Sequence, residues 1–403
     1  MLADLVGSYL DSLDGREREF DAPFMALLRA HGYYDIRFTH GKVEYGKDFL
    51  AKRDEDGVRY QYVFQSKAGD LNLQQWRDAR LQIDELRRNA LSHPAFDTNL
   101  PRRAVFVTTG RLNSPARVEA QQYAIYIEQE KETPFTLWDR ESLVEMMVVS
   151  PESGLAGDVQ GTLLKLLGEI EIGEAQELAL EQFSRRWFAN NGQTRQLWRA
   201  ALEAGVVANL LRRHNRLDLA CTATLCLMRA AWASTQGIEP PDGICVEVAE
   251  LSRTMFRYYA HEVWRDCDDE ILLPARFFYP QNPLVAYVTY PVKCSKLIEV
   301  LGLLGLLEPE DDEPLAEEIA AYLIRFFDAH PGAMHPISDR YAVSLAPPLL
   351  LLAVTGRGSK APAILKEVTR WVADRYDKES FGLANPYADP TEEVTRLGSG
   401  STA

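Results

Sequence analysis

The chain has 403 residues, of which 46% are hydrophobic and 26% are charged, a composition typical of a soluble globular protein long enough for two domains. The net charge of −15 argues against a protein that coats nucleic acid, although residues 1–150 hold 20 Lys and Arg against 24 Asp and Glu and carry little of that excess. The start of the chain lacks the basic and apolar stretches of an export signal, and the five cysteines lack paired spacing, so we expect a cytoplasmic protein with reduced thiols.

The first 150 residues alternate between helix and strand patterns. Apolar residues at helical spacing and a closing Gly32 predict a first helix over residues 17–31. The Asp-Gly pair at 56–57 predicts a hairpin that leads into an alternating strand over 58–67. The other predicted elements are strands over 34–39, 43–52, 104–108 and 135–138, and helices over 72–91, 115–128 and 141–147. This order is typical of an α/β sandwich.

From about Gly154 the patterns are almost wholly helical. Predicted helices cover 161–167, 174–189, 194–213, 217–234, 243–267, 292–307, 314–330 and 362–376. The longest mainly apolar run, residues 342–354, contains two prolines and is shorter than the roughly 20 residues of a membrane span, so we expect buried core and no membrane span. We therefore predict an α/β domain over 16–150, an all-α domain over 154–388 and a disordered tail over 389–403.

Three polar residues make the predicted hairpin a candidate metal site. Asp48 belongs to its first strand, while Gln65 and Lys67, two residues apart, share one face of its second strand. Hydrolysis of a phosphodiester needs a divalent cation, which prefers oxygen ligands, and a positive charge near the attacking water. The structural alternative is a turn acid at Asp48, an exposed polar side chain at Gln65 and a solvated strand end at Lys67.

These residues carry a family resemblance. Gly46-Lys47-Asp48, followed after about 17 residues by Gln65-Ser66-Lys67, resembles the PD-(D/E)xK nuclease superfamily, in the glutamine variant typical of Mrr-type restriction endonucleases. The strand ending in Thr108-Thr109-Gly110, the helix after it and Leu137-Trp138-Asp139 are similar to the later part of such domains, so the resemblance covers about 135 residues. The motif region is also similar to nuclease-like domains attached to bacterial antiphage modules.

The resemblance implies a restriction-endonuclease-like α/β domain followed by a mostly α-helical one, and it implies roles for single residues. Asp48 would be the central ligand of Mg²⁺ or Mn²⁺, Gln65 and the Ser66 carbonyl would lie at the metal, and Lys67 would orient the attacking water. An acid from the first helix completes such sites, and Glu19 is the preferred candidate. The residues that also stay open for the site are Glu17, Asp21, Glu44 and His40.

Four arginines flank the buried stripe of the helix that follows the motif: Arg77, Arg80, Arg87 and Arg88. One interpretation is an ordinary solvated helix face. The other is a set of contacts to DNA phosphates, which position a duplex without reading its sequence.

Together these patterns predict a metal-dependent DNA endonuclease, by resemblance a regulated effector in antiphage defence. Cutting both strands from one active site per chain favours a homo-oligomer. The helical region would sense, assemble or restrain the nuclease. No NTPase signature is present, so an ATP-driven step would need a partner ATPase. Two alternatives stay open: a non-catalytic nucleic-acid-binding or assembly module that keeps the nuclease fold, and a helical interaction protein whose first domain only mediates assembly.

Overall fold

The computed structural model describes residues 2–13, 17–39, 48–89, 95–130, 133, 135–155, 161–188, 194, 196–235, 243–278, 283–307, 313–377, 390 and 394. The chain divides into two units. Unit 1 comprises Met1–Lys165 and Ala189–Val206, and unit 2 comprises Leu166–Phe188 and Val207–Ala403. Residues 189–206, which lie in the predicted helical domain, therefore cluster with the first unit.

Unit 1 contains a five-stranded mixed sheet in the order β1-β2-β3-β4-β5. Its strands are β1 (Tyr34–Phe38), β2 (Phe49–Glu55), β3 (Val58–Lys67), β4 (Arg102–Thr108) and β5 (Phe135–Trp138). β1, β2 and β3 pair antiparallel, whereas β4 pairs parallel to both β3 and β5. Its helices are α1 (Leu2–Ser12), α2 (Glu17–Ala30), α3 (Leu73–Arg88), α4 (Ser114–Gln129) and α5 (Arg140–Val149). The predicted α/β fold class of this region is confirmed.

A two-residue turn joins β2 to β3. Asp56 and Gly57 have φ angles of 50° and 80°, the left-handed region that a tight hairpin turn of the predicted Asp-Gly type needs. The turn pairs Glu55 with Val58 and sets the register along the whole hairpin, up to Phe49 opposite Phe64. This hairpin positions the candidate site.

Helices cover both faces of the sheet. On one face Phe24 of α2 packs edge-on against Phe49 and Phe64, at ring-centroid distances of 5.2 and 5.4 Å. On the other face α3 and α4 bury a cluster that includes Trp76 and Phe106, both fully buried. Because both faces of β3 and β4 are covered, most residues of both strands are buried, including the polar residues Gln61, Gln65 and Ser66 of β3.

The chain after α5 is helical or lies in loops wherever the structure describes it. The helices are α6 (Gly161–Glu171), α7 (Glu177–Ser184), α8 (Gln196–Arg213), α9 (Leu217–Ala233), α10 (Gly243–Arg265), α11 (Pro274–Phe277), α12 (Pro283–Leu307), α13 (Glu313–Ala329), α14 (Asp339–Val343), α15 (Ala346–Val354) and α16 (Ala361–Asp377). Short 3-10 helices lie at Pro151–Leu155, Arg185–Trp187, Pro331–Met334 and Gly358–Lys360. The predicted mostly helical second region is confirmed.

Two local differences from the sequence analysis concern helices. α1 was not predicted, yet it buries Leu5, Val6 and Leu10 and packs against α5. α12 begins at Pro283, nine residues before the predicted start, because the helix continues through Pro291.

In the predicted tail over 389–403, the structure describes Val394, which packs beside the buried cluster that contains Val288. None of the described helices combines the length and apolar character that a membrane crossing requires.

Candidate active site

Asp48 lies at the start of the hairpin, directly before β2. Its backbone N–H donates to the Phe64 carbonyl at 2.8 Å, and its own carbonyl accepts from the Thr39 N–H at 2.9 Å. The β2–β3 ladder ends at Phe49 opposite Phe64, and Asp48 and Gln65 are the next residues beyond this pair. The backbone of the aspartate is therefore fixed from two sides.

The side chain of Asp48 turns toward the end of β3. Its Oδ2 atom accepts one hydrogen bond from Gln65 Nε2 and one from the Ser66 backbone N–H, both at 2.7 Å. Gln65 Nε2 also lies 3.3 Å from the Ser66 carbonyl oxygen. Gln65 is 4% exposed and Asp48 is partly buried, and a hydrogen bond to a charged acceptor is stronger than one between neutral groups. The structure brings together these three predicted residues.

Lys67 is the last residue of β3. It shares a sheet face with Gln65 and lies next to Thr108 of the parallel strand β4. Its carbonyl accepts from the Thr109 N–H at 3.2 Å, and its side chain is partly buried. The parallel strands β3 and β4 thus end side by side at the candidate site.

The segment after Lys67 is held by the Thr-Thr-Gly sequence at the end of β4. The Thr108 hydroxyl donates to the Gly69 carbonyl at 2.8 Å, and the Gly69 N–H donates to the Thr109 hydroxyl at 2.9 Å. A Cβ atom on Gly110 would lie 2.2 Å from the Gly69 carbonyl carbon, so only glycine fits this approach. In the sequence, Thr108, Thr109 and Gly110 are only part of the pattern that resembles the nuclease family. The structure adds that they hold the segment after Lys67 in place.

The acid from the first helix stays a prediction. Glu19 is exposed on α2, close to α1. Burial raises the pKa of Tyr9 to about 12, and the nearby charge of Glu19 adds to this rise while Arg199 opposes it. Asp21 is partly buried on the same helix. The Glu17 side chain, and the other two candidates at positions 40 and 44, lie outside the described residues.

The four arginines of α3 do not share one environment. Arg87 is 2% exposed and donates to the Thr133 carbonyl at 2.7 Å and to the Tyr123 hydroxyl at 3.3 Å. Because the Arg87 side chain is buried, it does not belong to the arginines that could contact DNA. Its guanidinium makes hydrogen bonds within the fold instead. The other three, Arg77, Arg80 and Arg88, are exposed.

Two of these exposed arginines have partners of their own. Arg77 forms an ion pair with Glu119 of α4 at 3.1 Å, and Arg80 lies over the Tyr123 ring at 4.9 Å from its centroid. Both contacts are at the surface and of the kind that contributes little to stability. A role of these arginines at DNA stays a prediction.

The residues around Asp48 fit a hard divalent cation in their chemistry. The Asp48 carboxylate and the Ser66 carbonyl oxygen both lie within 3.3 Å of Gln65 Nε2. Two oxygen atoms therefore point toward the same position, which the amide nitrogen of Gln65 occupies. Carboxylate, carbonyl and amide oxygens are the ligands that Mg²⁺ and Mn²⁺ prefer. No group of three or more His, Cys, Asp and Glu side chains suited to a metal occurs among the described residues, so a cation here would rely on amide and backbone oxygens or water.

The hairpin of this mixed sheet brings the Asp48 carboxylate to the Gln65 amide, with Lys67 two residues further along β3. Residues 11–147 match the family model of the Mrr-type restriction endonuclease, and this part of the chain is therefore a restriction-endonuclease-like domain. The match contains the whole sheet and the site. Comparisons with curated proteins and with solved structures found no match.

Proposed function

We propose that this protein is an endonuclease that hydrolyses phosphodiester bonds of DNA with the help of Mg²⁺ or Mn²⁺. The observation that carries the proposal is the hydrogen-bonded pair of Asp48 and Gln65, with Lys67 on the same strand face as Gln65, inside the segment that matches the restriction endonuclease family. Each of the three residue types has a task in phosphodiester hydrolysis.

Asp48, the Gln65 amide oxygen and the Ser66 carbonyl would hold the cation. When bound, the cation supplies Lewis-acid activation of the phosphate and lowers the pKa of a water molecule. Lys67 would hold the attacking water by a hydrogen bond from its ammonium group and offset the negative charge that develops at the phosphate. The Thr108 and Thr109 hydroxyls keep the Lys67 segment in place through Gly69. Glu19 is the preferred fourth residue of the site.

A plasmid assay tests this proposal. Supercoiled DNA is incubated with the full chain in Mg²⁺, in Mn²⁺ and in EDTA, beside Asp48→Asn and Lys67→Met. We expect nicking or linearisation that needs the metal and falls by about 100-fold or more in both variants. Asp78→Asn and Lys366→Met change exposed residues of α3 and α16 in the same way and should cleave as the wild type does. Equal cleavage by the wild type and both site variants would refute the proposal.

We further propose that the helical part of the chain restrains or triggers the nuclease in antiphage defence. The support is the resemblance of the motif region to domains attached to antiphage modules, together with the size of the helical region. Phage infection of bacteria that express the wild type or Asp48→Asn tests this role. Protection by the wild type alone is the expected result, and equal plaque numbers would contradict it.

Cleavage of both strands by one site per chain supports a homodimer or a larger homo-oligomer. Sedimentation of the purified chain with and without a DNA duplex tests this proposal. A chain that stays monomeric in both conditions and still linearises plasmid in one step would contradict it. Co-purification would show whether a partner ATPase or another defence component joins the complex.

One observation favours the alternative of a nucleic-acid-binding module without turnover. Gln65 turns its N–H group, not an oxygen, toward Asp48, and the described residues hold no cluster of three acids, histidines or cysteines for a metal. A module of this kind would bind duplex DNA equally well in EDTA and in Mg²⁺ and release no product in either. The plasmid assay, run beside a binding assay, separates the two functions.

A further inference from the structure

Unit 2 contains a cleft of about 640 Å³, and none of the residues of the candidate active site lines it. One wall is a continuous face of α12, which includes Val292, Lys293 and Leu297, and the rest comes from the start of α9, the end of α10 and α11. The volume lies in the range of roughly 300–1,000 Å³ that small-molecule sites occupy. The cleft lies outside the segment that matches the endonuclease family.

The lining of this cleft is basic in a strongly acidic chain. It includes the four cations Arg216, Arg276, Lys293 and Lys296, against two acids, Asp218 and Asp266, whereas the whole chain has a net charge of −15. Two of the cations are already neutralised. Arg216 pairs with Asp218 at 3.1 Å, and Lys296 pairs with Glu177 at 2.5 Å.

Neither of the other two cations, Lys293 and Arg276, forms an ion pair within 4 Å among the residues that the structure describes, although the charge of Asp218, in the same lining, acts on Lys293. Lys293 donates to the Phe277 carbonyl at 2.6 Å, and its ammonium lies 4.4 Å from the centroid of the Phe277 ring. Arg276 is exposed, directly precedes Phe277 in the chain and lines the same cleft. Burial lowers the pKa of Lys293, and the opposing influence of Cys294 and Asp218 offsets only part of this shift.

Apolar side chains form the remainder of the wall. Ile271, Phe277, Val292 and Leu297 line the cleft beside the two cations. A ligand that fits this combination has one anionic group and an apolar body, because burial of the body supplies affinity and the cations fix its orientation. We propose that this cleft binds a small organic anion, with its carboxylate, phosphate or sulfonate group between Lys293 and Arg276 and its apolar body against Phe277 and α12.

Two dyes that differ only in charge test the proposal with the full chain. 8-Anilinonaphthalene-1-sulfonate has an apolar body and one anionic group, and N-phenyl-1-naphthylamine is the same body without the sulfonate. Fluorescence titrations measure both dissociation constants for the wild type, for Lys293→Met and for Arg276→Gln. We expect the dissociation constant of the sulfonate dye to rise about tenfold in each variant, and that of the neutral dye to change less than about twofold.

Matched controls are Lys366→Met and Arg370→Gln, which remove one exposed charge each from α16, outside the lining of the cleft. They should bind both dyes as the wild type does, and circular dichroism checks that every variant is folded. The proposal is overturned if the wild type does not bind the sulfonate dye, if the cleft variants bind it as the wild type does, or if both dyes weaken alike. It does not rest on nuclease activity, so failure of the plasmid assay leaves it intact.

Discussion

Gln65 donates its side-chain N–H to the carboxylate of Asp48, with 2.7 Å between Nε2 and Oδ2. Related nuclease motifs carry an acid at this position, as the family resemblance implies. A glutamine satisfies the aspartate without a metal, because an amide can donate where a carboxylate cannot. The hydrogen bond therefore satisfies both side chains, and the cation that we propose for this site would have to displace it.

Gln65→Glu should strengthen metal binding and lower the stability of the protein when no metal is bound. Two carboxylates would face each other at hydrogen-bond distance, and their repulsion is relieved by a divalent cation. We expect the affinity for Mn²⁺ to rise on the order of tenfold, about 1.4 kcal/mol. Calorimetric titration with Mn²⁺ measures the affinity, and thermal unfolding in EDTA measures the loss of stability.

Gln75→Glu is the control for this change, because it adds the same charge at an exposed position on α3. It should leave the Mn²⁺ affinity unchanged. Equal Mn²⁺ affinity of Gln65→Glu and the wild type would show that no cation binds between positions 48 and 65.

Gly110→Ala should destabilise unit 1 strongly. The new methyl group would lie 2.2 Å from the Gly69 carbonyl carbon and 2.3 Å from the Asp70 nitrogen, and both are backbone atoms. The segment after Lys67 would have to move, at a cost of roughly 3 kcal/mol in the free energy of unfolding. Urea unfolding followed by circular dichroism measures this cost.

The matched substitution is Gly168→Ala in α6, where an added Cβ has no neighbour within 4 Å. Alanine is the better helix former, so this change should stabilise by about 0.5 kcal/mol. If Gly110→Ala unfolded at the same urea concentration as the wild type, the close approach to Gly69 would not be a constraint.

Much of the site geometry follows from the sequence through one turn. A two-residue Asp56-Gly57 turn pairs Glu55 with Val58, and counting outward along both strands pairs Phe49 with Phe64, the residues next to Asp48 and Gln65. The alternation of β3 then places Lys67 on the same face as Gln65. The Asp-Gly pair in the sequence therefore predicts which strand positions carry the candidate site residues.

Other features depend on contacts that are distant in sequence. The partners of Arg87 come from Thr133 and Tyr123, 46 and 36 residues away, so a helix pattern cannot distinguish this arginine from its exposed neighbour Arg88. The hydroxyls at the end of β4 gain their role only because β4 lies parallel to β3. The place of Glu19 depends on how α2 packs, and strand register does not constrain it.

Arg87→Met should reduce stability without a direct effect on DNA. It removes the hydrogen bonds to the Thr133 carbonyl and the Tyr123 hydroxyl, and Tyr123 itself donates to Asp84 at 2.5 Å. Loss of a buried guanidinium with these partners should cost about 2–3 kcal/mol of unfolding free energy. Urea unfolding measures the loss.

Arg88→Met is the neighbouring control, since Arg88 is exposed on the same helix. It should change the unfolding free energy by less than about 0.5 kcal/mol. If the Arg88 side chain contacts a DNA phosphate, the substitution should also weaken DNA binding. The slope of the logarithm of the binding constant against the logarithm of the salt concentration should then fall by about one unit. Equal stability of Arg87→Met and Arg88→Met would contradict the structural role of Arg87.

The stability of unit 2 should fall as the pH drops below neutral, because of His330. This histidine is fully buried, its Nε2 atom donates to the Ile271 carbonyl at 2.7 Å, and its Nδ1 atom accepts from the Tyr290 hydroxyl at 2.9 Å. These partners satisfy the neutral ring, and burial lowers the pKa of His330 below its ordinary value of 6.5. The unfolded chain therefore binds the proton more tightly than the folded chain does.

The contribution of His330 to stability is accordingly complete above pH 6.5 and decreases as the pH falls from there toward the lower pKa of the folded state. Urea unfolding between pH 5 and pH 8 should show a free energy that rises with pH, with a slope from this residue of at most about 1.4 kcal/mol per pH unit. His330→Gln should flatten the slope, whereas His214→Gln, at a partly exposed position at the end of α8, should preserve it. An unchanged slope in His330→Gln would assign the pH dependence to other groups.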